Sequence, residues 1–205
     1  PFVRRNWQAP FRYESDAPVL MLPGSRSAAV RRIFPLLLAG FRKARESKPD
    51  LKATVVYPSA KIWDLLESVL ATQPDLAQQI EFVSNKTENL PGSAVLMSSG
   101  TMSLGCALSG IPGAIAYRLN PMSYWLGRIL VKVKYIGIAN LLLDRPLHPE
   151  FIQSAASPAQ LSQQLLRALD ESEAAAEAQD GAVELRELLH AGSDGSGAEW
   201  LARGL

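Results

Sequence analysis

Two short loops in this sequence combine glycine, hydroxyl groups and a guanidinium, residue types that together are suited to binding an anion. They consist of Gly24, Ser25 and Arg26 in one case, here called the arginine loop, and of Ser99, Gly100 and Thr101 in the other, here called the serine loop. Glycine lets a phosphate approach the backbone closely, and an arginine can bind a diphosphate through two parallel hydrogen bonds. Each loop alone is also compatible with an ordinary strand–helix turn, but the two together favour a phosphorylated or nucleotide ligand.

Both loops follow an apolar run and lead directly into a helical pattern. The N-terminus of a helix offers free N–H groups and a partial positive charge, so this placement also favours an anion. The patterns G-x-x-x-x-G-K-[ST] and G-x-G-x-x-G do not occur in the sequence. A P-loop NTPase and a standard dinucleotide site therefore lack support.

Other kinds of chemistry find little support in the residue types. His148 and His190 lie far apart and neither has metal-ligand spacing to a cysteine or another histidine, so no metal site is predicted. Cys106 falls inside a predicted helix and is interpreted as a small core residue rather than a nucleophile. Ser99 does not stand in a G-x-S-x-G pattern, and His148 has no evident carboxylate partner, so a structural role is predicted for His148.

The elements that must position the two loops alternate between strands and helices. Apolar runs predict strands at 18–22, 53–57, 80–84, 93–100 and 112–118, and amphipathic patterns predict helices at 26–46, 59–70 and 101–110. This order predicts an α/β fold with a doubly wound, Rossmann-like parallel sheet and helices on both faces. In such a sheet, ligands bind beyond the carboxyl ends of the strands, where both loops fall.

The C-terminal third predicts additional helices. A capping box of Ser157 and Gln160 around Pro158 begins a helix at 157–169, and an acidic helix follows at 170–190. The sequence thus divides into an N-terminal extension or linker at 1–17, one α/β domain with C-terminal helices at 18–190, and a flexible tail at 191–205.

Composition limits the kinds of partner. With 47% hydrophobic residues the chain can form a sizeable core, and its net charge of +1 gives no reason to expect nucleic-acid binding. The single cysteine is compatible with a reducing compartment, and no apolar run is long enough to predict a membrane-spanning helix. The segment 121–145, in which aromatic residues alternate with cations, predicts either a core helix whose cations reach water or a surface resting on anionic lipid.

Four stretches resemble the C-terminal half of lipid-A-disaccharide synthase, a family of inverting glycosyltransferases of the GT-B type. They are "LPGSR" at 22–26, "SSGTMSLGCAL" at 98–108, "AIAYRLNPMSYWLGRILVKVKYIGIANLL" at 114–142 and "RPLHPEFIQ" at 145–153. The third stretch is the most specific, because 29 residues that combine aromatic, basic and apolar types in one order are not expected to match by chance. The resemblance runs from about residue 19 to 153 and, more loosely, through the helix at 157–169.

The resemblance implies a two-domain GT-B enzyme whose C-terminal domain holds the nucleotide-sugar donor. The family transfers 2,3-diacylglucosamine from its UDP conjugate to 2,3-diacylglucosamine 1-phosphate, and neither a metal nor another cofactor is expected. The expected partners are the two lipid substrates, an N-terminal GT-B domain in cis or in trans, an anionic membrane surface contacted by 121–134, and a second copy in a homodimer. The expected location is the cytoplasmic face of the inner membrane, as a peripheral protein. The catalytic base and the acceptor site are expected in the N-terminal domain, so this chain alone is expected to lack turnover.

The resemblance also assigns site residues position by position. The arginine loop matches "PGSR" and the serine loop matches the "SGT" motif, and both are expected at the donor diphosphate. The other expected donor-site residues are Tyr117 and Arg118 of "AYR" and Asn140 of "ANLL".

Two positions depart from the family pattern. Ala139 replaces the proline that precedes the asparagine, and Gly105 stands where the family has a glutamate expected to hold the ribose hydroxyls. Because glycine has no side chain to accept those hydrogen bonds, a second hypothesis is a divergent, non-catalytic GT-B module with a lipid-facing surface. A third is a GT-B epimerase or glycosyltransferase acting on a soluble sugar nucleotide.

Overall fold

The computed structural model describes residues 10–118 and 134–194. The strands are β1 (Phe11–Tyr13), β2 (Val19–Leu22), β3 (Ala53–Tyr57), β4 (Ile80–Ser84), β5 (Leu90–Gly92), β6 (Val95–Ser98), β7 (Gly113–Tyr117) and β8 (Glu150–Ile152). The α-helices are α1 (Ser27–Arg45), α2 (Ala60–Leu70), α3 (Thr101–Leu108), α4 (Ile138–Leu143), α5 (Pro158–Asp170) and α6 (Ser172–Asp194). Short 3₁₀ helices span Pro74–Gln79 and Gln153–Ala155.

The main sheet is parallel and has six strands in the order β4-β3-β2-β6-β7-β8. The strand order reverses between β2 and β6, so the chain winds outward in both directions from this point. A doubly wound sheet places its ligand crevice at this reversal, beyond the carboxyl ends of the two strands. The predicted α/β fold is confirmed, and the five predicted strands correspond to β2, β3, β4, β6 and β7.

Both faces of the sheet are covered, as the continuous apolar strands require. In β2, Val19 and Met21 face a core formed with α1, α2 and α5, whereas Leu20 and Leu22 face the other side, which holds α3 and the small strands β1 and β5. Gly92 in β5 allows close contact there, because a Cβ at this position would lie 2.6 Å from the Leu20 Cγ.

Three strands are absent from the sequence prediction, and each is only three residues long. β1 lies inside the predicted extension at 1–17 and pairs in parallel with β5, with Phe11 opposite Leu90. Phe11 is 2% exposed, and the Ser109 hydroxyl donates a 2.7 Å hydrogen bond to its carbonyl oxygen. β8 pairs with β7 at the edge of the main sheet. Strands this short carry no periodic pattern, so only their partners in space define them.

The C-terminal helices pack back onto the domain. The Ser157 half of the predicted capping box of α5 is confirmed, since the Ser157 Oγ accepts a 3.3 Å hydrogen bond from the Gln160 backbone N–H. α5 lies on α1, where Gly40 permits close approach to Leu161. The acidic helix, predicted at 170–190, is α6, which packs on α3 and α4 and runs to Asp194. The rest of the predicted tail and most of the segment at 121–134 lie outside the described residues.

Candidate functional site

The arginine loop and the serine loop leave adjacent strands at the same height. β2 and β6 are paired with Leu22 opposite Met97, so the two loops begin side by side at the point where the strand order reverses. Gly24 has a φ of +106°, a left-handed conformation that favours glycine. A Cβ at Gly24 would also lie 2.9 Å from the Ser98 Oγ. The structure thus brings the two predicted loops together, and the absence of a side chain at Gly24 allows the arginine loop to lie close to Ser98, the residue before the serine loop.

The arginine loop presents an exposed cation at a helix N-terminus. Arg26 is the N-cap residue of α1, and its carbonyl oxygen accepts hydrogen bonds from the N–H groups of Ala29 and Val30 at 2.9 and 3.0 Å. Ser25 and Arg26 are exposed, and within the described residues no side chain or backbone oxygen engages the Arg26 guanidinium. The first turn of α1 carries no acidic residue. The positive end of the helix and the guanidinium therefore add their charge at one place.

The serine loop presents an open helix N-terminus at the end of β6. Gly100 is the N-cap residue of α3, and the Ser103 Oγ lies 2.5 Å from the Gly100 carbonyl oxygen, to which it donates. Gly100 and Thr101 are exposed, and a Cβ at Gly100 would meet no atom within 4 Å. The space in front of this loop is open, as binding of a diphosphate requires.

Ser99 has its hydroxyl turned into the protein. Its Oγ donates a 2.7 Å hydrogen bond to the Ile136 carbonyl oxygen, and the residue is half-buried. Ser99 directly precedes Gly100, so this hydrogen bond holds the chain next to the N-cap residue of α3. The serine loop is thereby attached to a segment 37 residues further along the sequence.

Tyr117 and Arg118 lie at the carboxyl end of β7, one strand beyond the serine loop. Tyr117 is half-buried at the end of the ladder, opposite Ile152 of β8. Arg118 is exposed, and its Nη2 donates a 3.1 Å hydrogen bond to the Ala156 carbonyl oxygen. The structure therefore places both residues on the same edge of the sheet as the two loops.

Asn140 is fully buried in a polar network below this edge. Its Nδ2 donates to the His148 carbonyl oxygen at 2.7 Å and to the Glu150 Oε1 at 2.8 Å, and its Oδ1 accepts from the His148 backbone N–H at 2.9 Å. The side chain is 0% exposed. All three bonds lie inside the protein, so Asn140 joins α4 to the chain that enters β8.

Glu150 is a residue that the sequence analysis did not single out. Its Oε1 accepts from the Gly137 N–H at 2.8 Å and its Oε2 accepts from the Ile136 N–H at 2.9 Å, besides the bond from Asn140. The available signal was an acid inside the apolar stretch "PEFI", where a charge needs partners. Nothing in the sequence indicates that those partners are Ile136 and Gly137 before α4 and Asn140 within it.

The two groups considered for other chemistry are core residues. His148 is 1% exposed, and its Nε2 donates to the Ile111 carbonyl oxygen at 2.9 Å. Burial lowers the pKa of His148 and so favours the neutral ring. Cys106 is buried, and burial raises the pKa of its thiol well above the ordinary value. The structural roles predicted for both residues agree with these surroundings.

Gly105 lies on the buried side of α3, against the start of β1. A Cβ at this position would lie 3.0 Å from the Pro10 Cγ and 3.5 Å from the Phe11 ring. Pro10, the residue directly before β1, thus lies next to the position that a side chain at residue 105 would take. A Cβ there would be in tight contact with the Pro10 ring.

Two negative findings apply to the described part of the chain. Within residues 10–118 and 134–194, no three histidine, cysteine, aspartate or glutamate side chains are grouped so that they could hold a metal ion. In the same ranges, no helix combines the length and the apolar character needed to cross a lipid bilayer.

The fold is a doubly wound α/β sheet with two helix N-termini at its point of strand reversal, where sheets of this class bind their ligands. A solved structure of CalG4, the calicheamicin glycosyltransferase, shares this fold with a TM-score of 0.52 at 14% identity, over 91% of this chain and 42% of that one. The family model of lipid-A-disaccharide synthetase matches residues 4–200. The chain belongs to this family, as its motifs indicated.

Two curated relatives show how much of the family's length is present. The lipid-A-disaccharide synthase of Rhodospirillum centenum (strain ATCC 51521 / SW) is 34% identical over 194 residues, which cover 93% of this chain and 47% of the relative. That of Salmonella agona (strain SL483) is 31% identical over 180 residues, which cover 87% of this chain and 47% of the relative. The chain therefore spans about half the length of the curated relatives it matches.

Proposed function

We propose that this chain is the donor-binding part of a lipid-A-disaccharide synthase, and that it binds UDP-2,3-diacylglucosamine. The observation that carries the proposal is the pair of helix N-termini at the strand reversal. One of them bears the Arg26 guanidinium, which has no partner among residues 10–118 and 134–194. A diphosphate is the part of the donor that suits two such N-termini and a planar bidentate cation. Membership of the family supports UDP-2,3-diacylglucosamine as that donor.

In the proposed mechanism, this chain stabilises the leaving group. The acceptor hydroxyl forms a bond to the anomeric carbon while the bond from that carbon to the diphosphate oxygen breaks, and negative charge develops on UDP. In this proposal the Arg26 guanidinium and the Thr101 N–H stabilise this charge together with the Gly100 N–H, whose present hydrogen bond to the Ser103 Oγ is long at 3.4 Å. Donors already held in place favour the transition state. Removal of the acceptor proton belongs to a base in the N-terminal domain of the enzyme.

The remaining residues have supporting roles in this proposal. Gly24 and Ser25 let the diphosphate approach the backbone of the arginine loop, and the edge residues Tyr117 and Arg118 border the sugar and the nucleotide. Asn140 supports the site indirectly, through its buried hydrogen bonds to His148 and Glu150. The single α/β domain at 18–190 is proposed as the unit that carries this site.

Calorimetric titration with UDP tests the proposal directly. The 205-residue chain should bind UDP saturably, and Arg26→Ala should weaken binding at least about tenfold, as expected for loss of a charge-assisted pair with a phosphate. Arg32→Ala removes the same charge from an exposed position further along α1 and serves as the control. Absence of saturable heat at millimolar UDP, or equal affinities for Arg26→Ala and the parent, would overturn the proposal.

The proposed partners follow from the same family membership. They are the lipid monosaccharide phosphate acceptor, an N-terminal GT-B domain in cis or in trans, a second copy in a homodimer and, through 121–134, an anionic membrane surface at the cytoplasmic side of the inner membrane. Exposed Leu141 and Ile138 on α4, close in sequence to the exposed Lys134, support a lipid-facing surface. Sedimentation with anionic vesicles, but not with neutral ones, is the expected result.

A divergent, non-catalytic module is the second candidate, and the packing of Gly105 against Pro10 favours it. In that case the chain keeps the GT-B fold and the lipid-facing surface without holding the ribose. Binding to anionic vesicles together with no response to UDP would select this candidate over the first.

A further inference from the structure

The Glu150 carboxylate lies at the centre of the contacts that hold the serine loop from behind. We propose that Glu150 is a positioning residue for donor binding, and that it fixes Gly100 through a single peptide unit, the one that joins Ile136 to Gly137. This inference rests on the proposed function, since it concerns the same donor site. It assigns to Glu150 a role that is separate from any direct contact with the ligand.

Glu150 binds the segment before α4 from the sheet side. The carboxylate receives three N–H groups: those of Ile136 and Gly137 and the side-chain amide of Asn140, all at 2.8 to 2.9 Å. Hydrogen bonds to an ionised acceptor are stronger than bonds between neutral groups. Two oxygens that together serve three donors give this segment a strong and specific attachment.

The backbone at Gly137 lies close against the sheet. A Cβ at Gly137 would lie 2.5 Å from the Ile115 Cδ1 and 3.1 Å from the Glu150 Oε1. Ile115 and Glu150 are register partners on β7 and β8, so their side chains form one platform under Gly137. The absence of a side chain at Gly137 lets the backbone reach the carboxylate.

One peptide unit then connects the carboxylate to the serine loop. The Gly137 N–H donates to Glu150, and the Ile136 carbonyl of the same peptide group accepts the Ser99 hydroxyl at 2.7 Å. Hydrogen bonds arranged in such a chain polarise and strengthen one another. Because Ser99 precedes the N-cap residue Gly100, the orientation of this peptide sets where the free N–H groups of α3 point.

Glu150→Gln is the variant that separates positioning from bulk. A glutamine has the same shape but offers only one acceptor oxygen, so its NH₂ group must face an N–H donor. We expect UDP affinity to fall about tenfold, the effect of one misdirected hydrogen bond, while the chain stays folded. Glu184→Gln is the matched control, because Glu184 pairs with Arg145 at the far end of α4 and touches neither loop.

A double-mutant cycle with Ser99→Ala tests whether the peptide carries the effect. If Glu150 acts through the Ser99 bond, adding Glu150→Gln to Ser99→Ala should weaken UDP binding by much less than a further tenfold. Additive losses would overturn the proposed route. If Glu150→Gln fails to fold, the UDP affinity of Ser99→Ala alone still tests whether the bond to the Ile136 carbonyl matters for donor binding.

The amide NMR signal of Gly100 gives a measurement that needs no ligand. It should shift in Glu150→Gln and in Ser99→Ala, and stay in place in Glu184→Gln. If the parent chain binds no UDP but the Gly100 signal shifts in Glu150→Gln, the proposed function is refuted and the coupling between Glu150 and Gly100 is supported. An unchanged Gly100 signal in Glu150→Gln would refute the coupling whatever the UDP result.

Discussion

The arginine loop and the serine loop lie at neighbouring strand ends, yet they are fixed in different ways. The arginine loop depends on its own backbone, through the positive φ of Gly24, and it leaves the Arg26 side chain exposed. The serine loop depends on a distant segment, through the bond from Ser99 to Ile136. The comparison shows that the conformation of the arginine loop is set by its own residues. The position of the serine loop depends on a hydrogen bond to a segment far away in the sequence.

The largest effect is expected at the helix that follows the serine loop. Gly105→Glu would place a side chain 3.0 Å from the Pro10 Cγ and force a carboxylate among buried apolar groups. Overpacking and an unpaired buried charge should lower the free energy of unfolding by about 3 kcal/mol or more. Chemical denaturation measures this loss, with Gly105→Ala as the milder control. A Gly105→Glu variant of unchanged stability and higher UDP affinity would contradict the packing argument.

The two loop glycines provide a more direct test of the comparison. Gly24→Ala should cost about 2 kcal/mol of stability, because alanine is strained at positive φ and its Cβ would contact the Ser98 Oγ. Gly100→Ala should cost less than about 1 kcal/mol, since its φ of 170° is ordinary extended backbone and its surroundings are open. Thermal unfolding compares the two variants.

Titration of Gly24→Ala and Gly100→Ala with UDP adds their donor affinities to the comparison. The methyl group of Gly100→Ala projects into the open space where the diphosphate is proposed, so affinity should fall although stability does not. Equal stability losses for the two variants, or full UDP affinity in Gly100→Ala, would show that the two loops do not differ as described.

A smaller effect concerns pH and the network behind the serine loop. Because burial lowers the pKa of His148, the folded state favours the neutral ring. The resulting stability is present above the unfolded pKa of about 6.5 and is lost as the pH falls through the lower, folded-state value. About 1 kcal/mol should be lost for each pH unit between these values, and His148→Gln should lack this component. A parent and variant with identical pH profiles would exclude His148 as the cause.

Much of the sheet was predictable because its central strands are buried on both faces. Continuous apolar runs such as 53–57 indicate strands without help from the rest of the chain. The small strands β1, β5 and β8 were not predictable, since three residues give no pattern and their pairing is purely tertiary. Of the proposed donor site, the two loops were found from residue types. Glu150 was not found, because the three N–H groups that donate to it come from residues 136–140, which no local pattern connects to it.

The sequence by itself determined the fold class, the family and the two loops proposed to bind the donor. Each of these depends on local patterns: apolar runs, glycines before helices and a long specific block of residues. The tertiary structure decided that Gly105 lies against Pro10 and that Asn140 is buried. It also decided that Glu150 binds the peptide group to which the Ser99 hydroxyl donates. These features depend on distances between residues far apart in the chain, and folding alone sets such distances.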